Sequence, residues 1–272
     1  MKNIESKLIE SRSYKPQKKF VDESNITVDL LYELNQSYKA DPDTFWRDLA
    51  CKHIDWIEDF KTVCDGEPPF YKWFKEGKLN VSQNCLDRYI NKDKIAIIHI
   101  SENNNKKEIT YDELYFLVNN FSYALKQQGV KKGDRVIIYM PTTPEAIIAM
   151  LSCARLGLIH SVVFAGFSAE SLQNRINDCE AKIIITVDGF MRNGKIVKAK
   201  ETVDQALLMG CPSIESTIVY KNLKNEIEFN EEIDIYWDHI LPKKQKIVKP
   251  EIMSSEDLLF ILYTSGSTGK PK

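Results

Sequence analysis

From about residue 86 onward, the chain alternates between short apolar runs and longer segments whose apolar residues recur at helical spacing. The runs at 95–100, 136–140, 161–164 and 183–187 have the length and composition of β-strands. The run at 183–187 reads Ile-Ile-Ile-Thr-Val, and so continuous a run indicates a strand that is buried on both faces. Strands and helices that alternate in this way predict an α/β fold, with a mostly parallel sheet flanked by helices.

Polar residues, proline and glycine mark where the predicted helices begin and end. Thr110 and Glu113 have the spacing of a capping box, and Gly129 fits the end of the helix that follows them. Pro144 fits the first position of the next helix, and Ser168 can cap the helix after that. The last two helices each follow a candidate strand directly, which is the order of a βαβ unit.

The last apolar run, at 258–263, predicts one more buried strand. It leads into a loop rich in glycine and hydroxyl residues, and the chain stops inside that loop at Lys272. A domain rarely ends at such a point, because a loop of this kind joins a strand to the element after it. We therefore expect this chain to be a truncated part of a longer protein.

The composition disfavours several classes of protein. Hydrophobic residues make up 43% of the 272 residues, which suffices for a sizeable core. The formal net charge is -2, from 37 basic and 39 acidic residues, so nothing favours nucleic acid or an anionic membrane as a partner. The N-terminus lacks the apolar run of a signal peptide, and no run approaches the ~20 residues of a membrane span. We expect a cytoplasmic protein.

Cysteine and histidine give no sign of a metal centre. The six cysteines are widely spaced and form no CxxC pair, a pattern that fits a reducing compartment. The four histidines have no metal-ligand spacing either. The sequence therefore predicts no metal ligand.

The loop after the last apolar run has the chemistry of a polyphosphate site. From Tyr263 to Lys272 it reads YTSGSTGKPK. Two glycines let the backbone turn tightly so that its amides can point at an anion, while hydroxyl side chains and a lysine add donors and positive charge. The candidate phosphate-binding residues are Thr264, Ser265, Gly266, Ser267, Thr268, Gly269 and Lys270.

This loop differs from two better-known motifs. A Walker A loop would need glycine at Thr264 and a serine or threonine after Lys270, where Pro271 stands, so a P-loop kinase or NTPase is disfavoured. The loop contains no GxSxG, which argues against a serine-hydrolase elbow. A flexible linker is the remaining alternative. The apolar run before the loop has the composition of a buried strand, which argues against a linker.

Two further stretches follow candidate strands. Arg192 and Lys195 enclose Asn193 and Gly194 just after the run at 183–187, and two cations on a tight turn suit a phosphate group. That position is the carboxyl end of a strand, where α/β sheets bind ligands. Spacing alone also allows a solvated basic turn.

Small residues in the second stretch allow a ligand to approach the backbone closely. Ala165, Gly166 and Phe167 lie between a candidate strand and a helix cap. A packed strand–helix turn is the alternative there.

The ten residues from Tyr263 to Lys272 resemble the signature loop of the adenylate-forming (AMP-binding) superfamily, whose members activate carboxylates with ATP. From about residue 30 onward the chain resembles the acetyl-CoA synthetase branch, whose N-terminal extension differs from that of long-chain acyl-CoA synthetases and luciferases. The resemblance implies that residues 1–85 are this extension. It implies that residues 86–272 are an adenylation domain, incomplete at its C-terminus. The stretches that carry the resemblance include DPDTFWRDLA, DWIEDF, GKLNVSQNCLDRYI, KKGDRVIIYMPTTPEAIIAMLSCARLGLIHSVVFAGFSAESLQNRI and LLFILYTSGSTGKPK.

The resemblance also assigns roles to the candidate sites. The glycine-rich loop would hold the β and γ phosphates of ATP. The turn from Arg192 to Lys195 would hold the nucleotide end of coenzyme A, with Ala165, Gly166 and Phe167 lining its channel. The chain departs from the family pattern at two of these positions. Ala165 stands where the family often has glycine. Lys195 stands where it usually has arginine, so the positive charge is kept but the bidentate fork of an arginine is lost.

The implied reaction is that of an AMP-forming acetate–CoA ligase, with acetate, ATP and coenzyme A as substrates and Mg²⁺ as the companion of ATP. The resemblance places the acyl pocket, the catalytic lysine and any magnesium ligands beyond residue 272. We therefore expect no catalytic residue in this chain and no activity from the chain alone. A propionyl-CoA synthetase and a non-catalytic product of a split or decayed gene stay open as alternatives, and the sequence predicts no oligomeric state.

Overall fold

The computed structural model describes residues 12–264, and the chain divides into two compact units between His53 and Ile54. The helices are α1 Lys18–Asp22, α2 Val28–Ala40, α3 Pro42–His53, α4 Val81–Cys85, α5 Tyr111–Gln127, α6 Pro144–Arg155, α7 Ala169–Cys179, α8 Ala199–Leu208 and α9 Trp237–Ile240. The strands are β1 Thr62–Asp65, β2 Lys72–Lys75, β3 Lys78–Leu79, β4 Ile95–Ile100, β5 Lys106–Thr110, β6 Arg135–Tyr139, β7 Ile159–Val162, β8 Ile183–Val187, β9 Phe190–Arg192, β10 Lys195–Val197, β11 Ser216–Tyr220, β12 Asp234–Tyr236 and β13 Met253–Ser254.

The first unit is helical and carries local caps. The side chain of Thr27 accepts a hydrogen bond from the backbone N–H of Leu30 at the start of α2. Asp41 accepts one from the N–H of Thr44 at the start of α3, at 3.0 Å. Such caps satisfy backbone donors that the first turn of a helix leaves unpaired.

The second unit is built on a five-stranded sheet with the order β12-β11-β8-β6-β7. Every neighbouring pair in this sheet is parallel. All five residues of β8 are buried between β11 and β6, as the continuous apolar run at 183–187 predicts. The predicted α/β class with a mostly parallel sheet is therefore confirmed.

Helices cover both faces of this sheet. The crossover from β6 through α6 leads to β7, at one edge of the sheet. The crossovers from β7 through α7 to β8 and from β8 through α8 to β11 lead toward the opposite edge. Because such crossovers are right-handed, α6 lies on one face and α7 and α8 lie on the opposite face. Phe121 of α5, Ile148 of α6, Ile176 of α7 and Val203 of α8 are all buried in the one large hydrophobic cluster that surrounds the sheet.

The predicted helix boundaries agree with the structure. Thr110 and Glu113 form both hydrogen bonds of the capping box at the start of α5, and Gly129 follows its end with a φ of 81°. Pro144 is the first residue of α6, and the hydroxyl of Ser168 accepts a hydrogen bond from the N–H of Ser171 at the start of α7.

The predicted buried strand at 258–263 is wrong in its extent and burial. Its described pairing is one parallel bridge between Phe260 and His160 of β7, with the N–H of Ile261 donating to the carbonyl of His160 at 2.9 Å. Leu258, Phe260 and Leu262 are exposed by 65%, 53% and 67%. The segment pairs with β7 on one side, and its alternate side chains point away from the core, so apolar composition did not translate into burial.

The run at 95–100 is a strand, but it lies outside the parallel sheet. It pairs antiparallel with β5 and forms a hairpin whose turn lies at residues 101–105. Within residues 12–264 no helix is long and apolar enough to cross a membrane.

Candidate functional site

A cavity of about 480 Å³ lies at the carboxyl ends of four strands of the parallel sheet, β6, β7, β8 and β11. This is the edge at which open α/β sheets bind ligands, because loops from neighbouring strands diverge there. The turn of the β4–β5 hairpin closes one side of it. The lining residues are His99, Ile100, Ser101, Glu102, Asn103, Asn105, Pro141, Thr142, Thr143, Phe164, Ala165, Phe190, Met191, Arg192, Asn222 and Leu223.

The predicted cationic turn is the tip of the β9–β10 hairpin. Asn193 and Gly194 form its two-residue turn, with φ values of 52° and 72°, and Arg192 pairs directly with Lys195 across it. An Asn-Gly pair with both φ values positive is the preferred sequence for this kind of hairpin turn. Arg192 lines the cavity, whereas Lys195 is exposed and is absent from its lining.

The predicted small-residue loop lies directly against this hairpin. A side-chain carbon placed on Gly166 would stand 2.5 Å from Nη1 of Arg192 and 2.7 Å from the ring of Phe164. Glycine at 166 therefore lets Arg192 lie close against the loop. The structure thus brings Ala165, Gly166 and Arg192, which are separate in the sequence, to one place.

Two cations and three rings form a row of contacts from this hairpin to Tyr263. The guanidinium of Arg192 lies 4.8 Å from the ring centre of Phe164, which meets Phe167 edge-on at 5.8 Å. Arg175 of α7 lies 4.9 Å from the ring of Phe167 and 5.3 Å from that of Tyr263. We call these five residues the cation–aromatic row. It connects the predicted coenzyme A turn to the residue that precedes the predicted phosphate-binding residues.

Two tyrosine hydroxyls make hydrogen bonds that anchor Phe167 and Tyr263, two members of the cation–aromatic row. The hydroxyl of Tyr139 donates to the carbonyl of Phe167 at 2.8 Å, and that of Tyr263 donates to Oδ2 of Asp178 at 2.6 Å. Burial raises the pKa of Tyr263, and the carboxylate of Asp178 raises it further. Both hydroxyls therefore stay protonated at neutral pH and act as hydrogen-bond donors.

Of the predicted phosphate-binding residues, Thr264 is described and is exposed. The other six lie outside the described residues, and their assignment stays a prediction: Ser265, Gly266, Ser267, Thr268, Gly269 and Lys270. Within residues 12–264, no group of three acidic, histidine or cysteine side chains is arranged to hold a metal ion.

Asp188 organises one wall of the cavity, and the sequence analysis assigned it no role. Its buried carboxylate accepts backbone N–H hydrogen bonds from Gly189, Asn222, Leu223 and Asn225, at 2.7–3.1 Å. The loop after β11 is thereby tied to the end of β8. An acid placed directly after a fully apolar strand was the available sequence signal.

Glu102 is a second residue that sequence reasoning missed. Its Oε1 accepts a hydrogen bond from the N–H of Gly194, at 2.5 Å, across the mouth of the cavity. Glu102 and the cationic Arg192 line the same cavity. This hydrogen bond occupies the backbone amide of Gly194 at the tip of the hairpin.

Comparison with known proteins extends over the whole chain. A family model described as AMP-binding enzyme matches residues 87–272, and one described as acetyl-coenzyme A synthetase N-terminus matches residues 31–85. The chain is similar to proteins named acetyl-coenzyme A synthetase from Pasteurella multocida (strain Pm70) and Laribacter hongkongensis (strain HLHK9). Identity is 47% to each, over 98% and 100% of this chain and 42% of either relative.

A solved structure shares the fold. The acetoacetyl-CoA synthetase from Streptomyces lividans matches 87% of this chain and 36% of its own, with a TM-score of 0.80 at 25% identity. The chain thus spans less than half the length of these relatives.

Proposed function

The chain belongs to the AMP-binding enzyme family, and from that premise we propose that its protein is an AMP-forming acetate–CoA ligase. The relatives at 47% identity are named acetyl-coenzyme A synthetase, which supports acetate over propionate as the substrate. Residues 1–85 are proposed as the N-terminal extension of such ligases and 86–272 as the adenylation domain. The family matches, which meet between residues 85 and 87, support that division.

One structural observation carries the proposal: the hairpin with Arg192 and the loop with Ala165 and Gly166 meet at a single cavity on the carboxyl edge of the sheet. A volume of about 480 Å³ lies within the range of small-molecule sites. Arginine suits the phosphate groups of a nucleotide, because its planar fork can bind two oxygens at once. The cavity therefore suits the nucleotide end of coenzyme A, with Arg192 in its wall and Asn193, Gly194 and Lys195 at the hairpin tip beside it.

The proposed reaction has two steps. In the first, a carboxylate oxygen of acetate attacks the α-phosphorus of ATP, and the bond to the β-phosphate oxygen breaks, which releases pyrophosphate. In the second, the sulfur of coenzyme A attacks the carbonyl carbon of acetyl-AMP, AMP leaves with the electrons of the broken C–O bond, and the thiol proton passes to solvent. All the substrates are anions, so charge neutralisation and positioning dominate the barrier.

The residues of this chain would act by binding rather than by proton transfer. Residues 264–270 would hold the leaving pyrophosphate, and Arg192 would fix the distant end of coenzyme A. Mg²⁺ would accompany ATP and neutralise its phosphate charge.

The test is carboxylate-dependent exchange of labelled pyrophosphate into ATP by the whole protein. Acetate should support exchange at a lower KM than propionate or butyrate, and exchange should vanish without a carboxylate. Lys270→Ala should slow the exchange, because one cation of the phosphate loop is lost. No exchange with any of the three acids would overturn the proposed function, and a preference for propionate would overturn the acetate assignment.

A further inference from the structure

Arg175 is a buried arginine in an unusual setting. Its side chain is part of α7 and only 7% exposed, and its Nη1 donates to the carbonyl and the hydroxyl of Ser171, at 2.7 and 2.5 Å. Within the described part of the chain, no carboxylate lies within ion-pair distance of its guanidinium. Burying a charge without a counter-charge is unfavourable, so another interaction must hold this one in place.

That interaction is provided by two aromatic rings from distant parts of the chain. The guanidinium lies 4.9 Å from the ring centre of Phe167 and 5.3 Å from that of Tyr263. Both distances lie within the range of cation–π attraction, which strengthens as the cation is removed from water. Arg175 is therefore the member of the cation–aromatic row that joins its two halves.

The two rings belong to different proposed ligand segments. Phe167 ends the loop that is proposed to line the coenzyme A channel. Tyr263 directly precedes Thr264, the first proposed phosphate-binding residue. Each residue has a separate anchor: the hydroxyl of Tyr139 donates to the backbone carbonyl of Phe167, and Asp178 accepts from the hydroxyl of Tyr263. Arg175 is the side chain that contacts both rings.

We propose that Arg175 is a positioning residue that serves both half-reactions, because it holds Phe167 of the coenzyme A loop and Tyr263 of the phosphate segment on one guanidinium. In this proposal it acts through the two rings rather than through contact with a substrate. The proposal rests on the proposed function for the roles of the two segments, but the shared contact exists without any ligand. It can therefore be tested both with and without turnover.

The ligand-free test is a pair of double-mutant cycles on the thermal unfolding of the whole protein. Phe167→Leu and Tyr263→Leu should each lower the unfolding midpoint, by roughly 2–4 °C. In the Arg175→Met background each change should shift the midpoint by less than half as much, since the shared partner is gone. Equal shifts in the two backgrounds would overturn the shared contact. This result does not depend on whether the protein is a ligase.

The kinetic test separates a positioning role from a merely structural one. Arg175→Met should raise both the KM for ATP in pyrophosphate exchange and the KM for coenzyme A in the complete reaction, each about threefold to tenfold. Phe167→Leu should raise the coenzyme A value, and Tyr263→Leu the ATP value. Arg175→Lys, which keeps the cation, should recover part of both losses.

A matched control comes from Arg135, which donates to the carbonyls of Cys179 and Glu180 at the far end of α7. Arg135→Met should lower stability and leave both KM values unchanged. If Arg175→Met changes one KM value alone, or changes neither, Arg175 does not serve both segments. Absence of exchange in the unsubstituted protein would instead overturn the proposed function, and the unfolding cycles would still decide whether the contact is shared.

Discussion

The guanidinium of Arg155 donates two hydrogen bonds to the carboxylate of Asp87, at 2.9 and 3.0 Å, across 68 residues of chain. Its Nε donates a third to the carbonyl of Val248 at 2.7 Å, and the side chain is only 1% exposed. One buried arginine therefore fastens three segments: the end of α6, the short 3-10 turn at Asp87–Tyr89, and the chain around residue 248. A planar, bidentate pair of this kind is the strong form of an ion pair.

Removing Asp87 should destabilise the protein strongly. Asp87→Ala leaves the buried Arg155 without its counter-charge, and we expect the free energy of unfolding to fall by about 3 kcal/mol. Denaturant unfolding of the whole protein measures this change in the free energy of unfolding. The matched control is Asp65→Ala, which breaks an exposed pair with Lys75 and should change stability far less, because water screens that pair. Similar losses in the two variants would contradict the importance given to burial.

His160 should make stability depend on pH on the acid side. It is buried beside Phe260, and burial lowers its pKa from 6.5 to about 4. The unfolded chain therefore binds a proton that the folded chain does not, and stability present above pH 6.5 is lost as the pH falls toward 4. The loss should reach about 3 kcal/mol, from the size of the shift.

The check is denaturant unfolding at several pH values, with His160→Gln as the reference. Carboxylates titrate in part of the same window, so the difference between the two proteins is the relevant quantity. The variant should lose less stability than the unsubstituted protein between pH 6.5 and 4. Parallel pH profiles would show that His160 is not responsible.

Arg192 should act in the second half-reaction alone. Arg192→Ala should raise the KM for coenzyme A roughly tenfold to hundredfold, the equivalent of ~1.5–3 kcal/mol for a lost charged hydrogen bond. Pyrophosphate exchange should stay nearly unchanged. Lys195→Ala, the control, should have a smaller effect, because Lys195 does not line the cavity. If dephospho-coenzyme A is affected as strongly as coenzyme A, Arg192 does not bind the 3′-phosphate.

Glu102 should weaken the binding of an anion at the hairpin turn. Glu102→Gln removes a negative charge from the cavity that Arg192 also lines, and it weakens the hydrogen bond from the N–H of Gly194. We expect the KM for coenzyme A to fall by about fivefold, which corresponds to about 1 kcal/mol for one charge near the surface. Glu108→Gln, on the neighbouring strand and paired with Lys106, is the control and should change nothing. A rise in KM would mean that Glu102 supports the turn instead.

Local signals in the sequence predicted much of the fold. Thr110 and Ser168 cap their helices as expected, because capping depends on residues three positions away. The strand at 183–187 was recognisable because its burial on both faces leaves no polar alternation. By contrast, the exposure of Leu258 depends on how many strands and helices pack against its segment. A short apolar run does not show how many of these there are.

The sequence singled out individual residues of the candidate site but not their arrangement. The cationic turn and the small-residue loop stood out through glycine, arginine and their places after strands. Asp188 and Glu102 were missed because their partners are distant in sequence: Asp188 binds amides 34–37 residues away, and Glu102 binds one 92 residues away. Arg175 was missed for the same reason, since it faces Tyr263 only in the folded chain.

The pairing of Phe260 with His160 has a consequence for the order of folding. Strands β6, β7 and β8 come from one continuous stretch of chain, so their contacts can form with short loop closures. Residues 258–264 must instead return to β7 from far along the sequence, and such non-local contacts form slowly. We therefore expect the sheet edge with the hairpin of Arg192 to form first and Tyr263 to reach Arg175 afterwards. The approach to the proposed phosphate-binding residues would then be assembled last, on a scaffold that already exists.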